Sequence, residues 1–291
     1  MKEIKQIEKI FSRPASPGMV GDGFRVYNYF PNGYQLRSKL SPFLMLDFNP
    51  AFDFGASNKP RGVDVHPHKG FETVTIAYKG SVAHHDSSGN SGVIHPGDVQ
   101  WMTAGAGILH KEYHEKEFSL KGGPFQMVQL WVNLPAKDKL TTPGYQAITA
   151  DDIKSYQIPD DGGVVNVIAG AFKDVKGAAT TFTDVNLWDM KLKAGAHIEF
   201  DIPTTHNAAI LLVEGSATVN GENAAEYSFV LLGNEGETVQ IDTENDATLL
   251  VLSGEPINEP IASYGPFVMN TQQEIIDSIQ EFQNGKFGYL E

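Results

Sequence analysis

Short apolar or alternating runs recur along the chain at 71–78, 92–94, 99–102, 125–134, 164–168, 187–192, 208–213, 228–232, 238–241 and 248–252, with Gly, Pro, Asn and Asp between them. Runs of this length read as strands, and many at this spacing predict a sandwich or jelly-roll barrel. One helix closes the pattern. Thr271 followed by Glu274 is a capping box, Ile275, Ile279 and Phe282 recur at helical spacing, and Gly285 ends the segment. A weaker helical pattern covers 4–10. Polar and breaker residues concentrate at 136–163, the expected seam between two β-domains, 1–135 and 164–291, with the helix in the second. The expected fold class is therefore all-β.

A faint repeat relates the halves. His66 to Ser81 ends in an apolar strand and a Gly-Ser turn, and so does Asp201 to Ser216. Aligned without gaps, Asp201 and Pro203 stand where His66 and His68 stand in the first copy. Only the first domain is expected to bind metal.

Composition narrows the chemistry. With no cysteine among 291 residues, disulfides, thiolate nucleophiles and cysteine-held clusters are excluded, so any metal is held by nitrogen and oxygen. The net charge of -14, with no compensating Lys/Arg cluster, disfavours direct nucleic-acid binding and leaves protein partners open. No run approaches the ~20 apolar residues of a membrane span, and the first residues lack a signal-peptide core. A soluble, cytoplasmic protein is expected.

Seven of the nine histidines lie between 66 and 114. Two pairs stand out, His66-Pro67-His68 and His110-Lys111-Glu112. Alternate side chains of a strand share a face, so each pair can aim two donors at one point. Three imidazoles and a carboxylate suit a first-row metal. A histidine on a strand is more often hydrogen-bonded or exposed than a ligand; the doubled spacing raises the metal reading. So do the Pro96-Gly97-Asp98 turn between the pairs and Gly105 and Gly107 just before His110. Glu72 rivals Glu112 for the carboxylate role, or orients a ligand imidazole, and periodicity alone does not choose between the two. His84, His85, His95 and His114 read as surface or supporting residues, and His197 and His206 are given no ligand role.

The segments DVHPHKGFETVTI, HPGDVQWMTAGAGILHKE and EPINEPIASYGPFVMNT resemble the pirin family of the cupin superfamily. The resemblance implies a bicupin, two jelly-roll β-barrels packed face to face with a short C-terminal helix. It carries the metal ligands onto His66, His68, His110 and Glu112, in the first barrel alone, and implies Fe(II), although other divalent first-row ions accept the same donors. Two activities follow from it. One is a dioxygenase cleaving quercetin or a related flavonol with O2 and releasing carbon monoxide, Glu112 serving as ligand and base. The alternative is an iron-dependent, redox-sensitive cofactor that regulates a transcription factor or metabolic enzyme through protein–protein contact. For the first, Phe43, Phe48, Phe52, Phe54 and Met102 are candidate lining of an apolar slot, core packing being the commoner role of each.

Overall fold

The fold is nearly all-β, as the alternation predicts. In this computed structural model, residues 3–31 and 36–291 are described. The chain divides into two compact units. One comprises Met1–Ala15, Leu36–Pro42 and Asp151–Ile257, the other Ser16–Gln35, Phe43–Ala150 and Asn258–Glu291.

This division differs from the expected one at both ends. The segment read as a weak N-terminal helix is strand β1 (Ile7–Phe11), which pairs antiparallel with Phe229–Leu232. Its isoleucines at 4, 7 and 10 mimic a helical period, but an available sheet edge decides its conformation. The terminal helix, Gln272–Gln283, forms with the expected capping box, but it belongs with the histidine-bearing unit. The segment 136–163 is shared: Gly144–Ile148 pairs with Val99–Thr103 in one unit, and Ser155–Ile158 with Gly163–Ala169 in the other.

In the histidine-bearing unit, a seven-stranded sheet contains β2 (Gly18–Val20), β3 (Phe24–Phe30), β4 (Phe43–Phe54), β6 (Phe71–Lys79), β9 (Val99–Thr103), β11 (Gly123–Asn133) and β12 (Gly144–Ile148), in the order β12-β9-β6-β11-β4-β3-β2. A four-stranded sheet has β5 (Gly62–His68), β10 (Ile108–His114), β7 (Val82–Asp86) and β8 (Ser91–Ile94) in that order. The Pro96-Gly97-Asp98 turn carries the chain from β8 in the second sheet to β9 in the first, rather than joining paired strands. Phe24, Val26, Phe54, Ala77, Val82, Phe125 and Met127 form an apolar plug at one end of the interior.

The other unit repeats the seven-plus-four arrangement, with an interior filled by apolar side chains that include Trp188, Met190, Ile210, Leu212, Val230 and Leu249. Asp201 and Pro203 are exposed there. No helix among the described residues is long and apolar enough to cross a membrane.

Candidate metal centre

β5 and β10 are antiparallel neighbours, with His66 directly opposite His110 and His68 opposite Ile108. Directly opposed residues share a face, so His66, His68, His110 and Glu112 all face inward. A register shift between His110 and Glu112 sets Glu112 opposite Val63, a bulge of the kind that re-aims side chains beside active sites. The three imidazoles meet with ring centroids 4.3, 4.7 and 4.9 Å apart. One ligand atom from each lies within 4.8 Å of the others, and among the described residues this is the only such group of metal-capable side chains. β7 flanks β10 on its other side, placing Asp86 opposite His110 and His84 opposite Glu112.

Register also orders the facing wall. Met45, Trp131, Thr73, Met102 and Tyr145 are successive cross-strand partners and form one row. Asn28, Asp47, Gln129, Thr75 and Gln100 form the next. Both rows face the histidines: Trp131 packs edge-on to His68 at 5.3 Å, and the Gln129 amide donates to the two Glu112 oxygens at 3.2 and 3.4 Å and to Thr75 Oγ1 at 3.2 Å. His66, Gln129, Trp131 and Tyr145 are only half-buried, so the interior reaches solvent beside the imidazoles.

The electrostatics favour a cation. Burial, reinforced by the neighbouring imidazoles, holds His68 and His110 well below the usual histidine range, so both are neutral at pH 7 with lone pairs available. His66 Nδ1–H donates to the Asp64 carbonyl at 2.8 Å, which leaves Nε2 as its donor to a metal. His110 is fully buried, yet neither ring nitrogen has a hydrogen-bond partner. An unpaired buried polar atom costs about 1–3 kcal/mol, so an electrophile at this point removes a real penalty. Burial pushes the Glu112 carboxyl up, opposed by His66 and by the Gln129 amide. The donor set of imidazole nitrogen and carboxylate oxygen thus fits a first-row divalent ion. Glu112 stands on the same face but outside the tight trio.

Glu72 is excluded from this face. The two-residue connection Lys69-Gly70 takes the chain from one sheet to the other, and position 70 needs glycine because φ is 87° and a Cβ there would meet Val268 O at 2.0 Å. Parity restarts at Phe71. Phe71 and Thr75 face the site, whereas Glu72 points the other way and accepts a hydrogen bond from Thr103 Oγ1 at 2.7 Å. Burial pushes Glu72 up to about 7. A carboxyl whose folded pKa is raised stabilises the fold below its unfolded pKa, and that contribution is lost as pH rises through 7. Glu72→Gln is therefore expected to gain stability over the parent by about 2–3 kcal/mol between pH 5 and 8.5, measured by denaturant unfolding.

The outer face of β5 and β10 is held by the last residues of the chain. Val65 and Leu109, alternating with the inward-facing histidines, pack with Phe267, Met269, Ile275 and Phe287. Lys69, next to His68, pairs with Glu281, and Ser87 Oγ donates to the Phe287 carbonyl at 2.5 Å. Gly107 has φ +123°, and a Cβ there would strike the Phe287 ring at 2.3 Å. Phe287→Ala is expected to cost about 3 kcal/mol of stability. It is also expected to weaken metal binding roughly tenfold through lost support of β10, read by titration of the intrinsic fluorescence.

Other expectations change in detail. His114 is not a surface residue: Nε2–H donates to Gly23 O at 2.8 Å and the ring packs among Phe24, Phe54, Phe118 and Phe125. His84 is buried on the inner face, stacked on Tyr145. Of the candidate lining residues, Met102 faces the site; Phe54 belongs to the plug, Phe48 sits on the opposite face of β4, and Phe52 is exposed. Gln129, Asp47 and Tyr145 escaped the sequence reading. The signal for the first two was a polar residue inside an apolar run, FQMVQLWV and FLMLDF.

Residues 23–132 match the family model described as Pirin, and 187–288 the one described as Pirin C-terminal cupin domain. A Pseudomonas aeruginosa protein, provisionally named a quercetin 2,3-dioxygenase, is 47% identical over 268 residues, 92% of this chain and 93% of that protein. A pirin-like protein of Solanum lycopersicum is 38% identical over 295 residues, 97% of this chain and 96% of its own length. The crystal structure of quercetin 2,3-dioxygenase from Acinetobacter baumannii superposes with a TM-score of 0.94 at 46% identity, covering 99% of this chain and 100% of that one.

Proposed function

We propose, from the premise that this chain belongs to the pirin family, that it is an Fe(II)-dependent dioxygenase opening the central ring of quercetin or a related flavonol with O2. The observation that carries this reading is the inward-facing imidazole trio, with His110 unpaired in the protein, beside a carboxylate braced by Gln129.

His66, His68, His110 and Glu112 would hold the ion. Once bound, Fe(II) supplies Lewis acidity toward a phenolic oxygen and electron exchange with O2. The rest is work for the chain. Glu112 accepts the proton of the substrate's 3-hydroxyl at a carboxylate oxygen. Gln129, donating to both carboxylate oxygens, fixes their orientation. Met45, Trp131, Met102 and Tyr145, with Thr73 among them, offer a mostly apolar, partly aromatic row against which a flat ring can lie. The reading draws support from the names of the Pseudomonas and Acinetobacter relatives.

The test is aerobic incubation of Fe(II)-loaded protein with quercetin, following flavonol absorbance, O2 uptake and carbon monoxide. Turnover above free iron, lost in His66→Ala, is expected. None from fully loaded protein would overturn the reading.

A further inference from the structure

Asp47 is a second carboxylate inside the histidine-bearing unit, and the metal centre does not account for it. Its cross-strand partners are Gln129 on one side and Asn28 on the other, so its side chain shares the face that looks at the imidazoles. It is 7% exposed. Asn28 Nδ2 donates to Oδ1 at 2.7 Å, and among the described residues no lysine or arginine pairs with it. Burying a carboxylate without a cation is costly, and asparagine or leucine would fill the same place at less cost. Burial raises Asp47 to about 6, partly offset by Asn28, so it is mainly an ionised acceptor at neutral pH.

An ionised acceptor in a half-open interior selects a donor. The neighbouring row of Met45, Trp131, Thr73, Met102 and Tyr145 is mostly apolar, whereas Asn28, Asp47, Gln129, Thr75 and Gln100 in the next row are all polar. A ligand matching both rows is flat, apolar on its face and hydroxylated at its edge. We infer that Asp47, braced by Asn28, is a specificity-determining residue that accepts a hydrogen bond from a ring hydroxyl of the aromatic substrate other than the hydroxyl facing the metal. This rests on the flavonol reading above for the choice of ligand, but not on turnover.

The experiment measures binding without O2 on Zn(II)-loaded protein, by quenching of intrinsic fluorescence. One probe is a flavonol hydroxylated on both outer rings; the other carries the 3-hydroxyl alone. Asp47→Leu is expected to weaken the first at least tenfold and the second less than threefold. Asn28→Ala, which leaves the carboxylate but not its brace, is expected to show the same selectivity at about threefold. Circular dichroism and bound zinc check folding; if Asp47→Leu fails there, Asp47→Asn and Asn28→Ala carry the test. Equal weakening of both probes, or none, overturns the inference, as does a parent protein that does not prefer the hydroxylated probe. Selective binding with no turnover of the Fe(II) form would sink the dioxygenase reading and leave Asp47's role standing.

Discussion

His110→Leu is expected to abolish stoichiometric metal binding and, in the metal-free state, to stabilise the fold. The two effects have one cause. His110 is fully buried with both ring nitrogens unpaired in the protein, an arrangement that is poor for a metal-free fold and suited to a ligand. Leucine removes one of three convergent donors, and affinity is expected to drop roughly a thousandfold or more because the remaining pair no longer encloses the ion. It also removes two unsatisfied polar atoms in exchange for apolar contact, worth about 1–2 kcal/mol to the apoprotein. Metal-loaded parent protein should unfold at higher temperature than either metal-free form. Thermal unfolding with and without metal checks both signs. Destabilised apo-His110→Leu with unchanged metal affinity would show that the imidazole has a packing role alone.

The second large effect is expected at Glu112. Glu112→Gln keeps the size of the side chain and removes its capacity to accept a proton. Turnover is expected to fall by about 10²–10⁴-fold. Metal content should drop far less, because the imidazole trio forms without it. The Gln129 amide, which now donates to both oxygens, would face an amide that has only one acceptor, so the change also disturbs orientation. Steady-state kinetics on metal-quantified protein separates the two. If kcat and metal content fall together, Glu112 is a ligand and nothing more.

Much of this site could be read from the chain, and the gaps have physical reasons. The X-any-X spacing of His66-Pro67-His68 and His110-Lys111-Glu112 works because both pairs lie on strands that hydrogen-bond to each other, so local period 2 becomes a shared face. Parity failed to place Glu72 because the chain changes sheets at Lys69-Gly70, which no count along one strand reveals. β4 escaped notice because FLMLDFNPAFDF is nearly all buried over its first eight residues, without alternation, and Pro50 argues against a strand; it is tolerated where the register with β11 shifts. The exchange of terminal segments between units was invisible because pairing of β1 with Phe229–Leu232 depends on a sheet edge formed more than 200 residues away. His114 read as a surface or supporting residue because nothing local announces the four phenylalanines around it.

One metal ion is expected to sit among His66, His68, His110 and Glu112. X-ray absorption at the iron edge of Fe(II)-loaded protein, compared with Glu112→Ala, tests it most directly. The expected spectrum contains three imidazole nitrogens and carboxylate oxygen at about 2.0–2.2 Å, with one oxygen scatterer lost in the variant. A spectrum lacking imidazole scattering, or unchanged by His66→Ala, would contradict it.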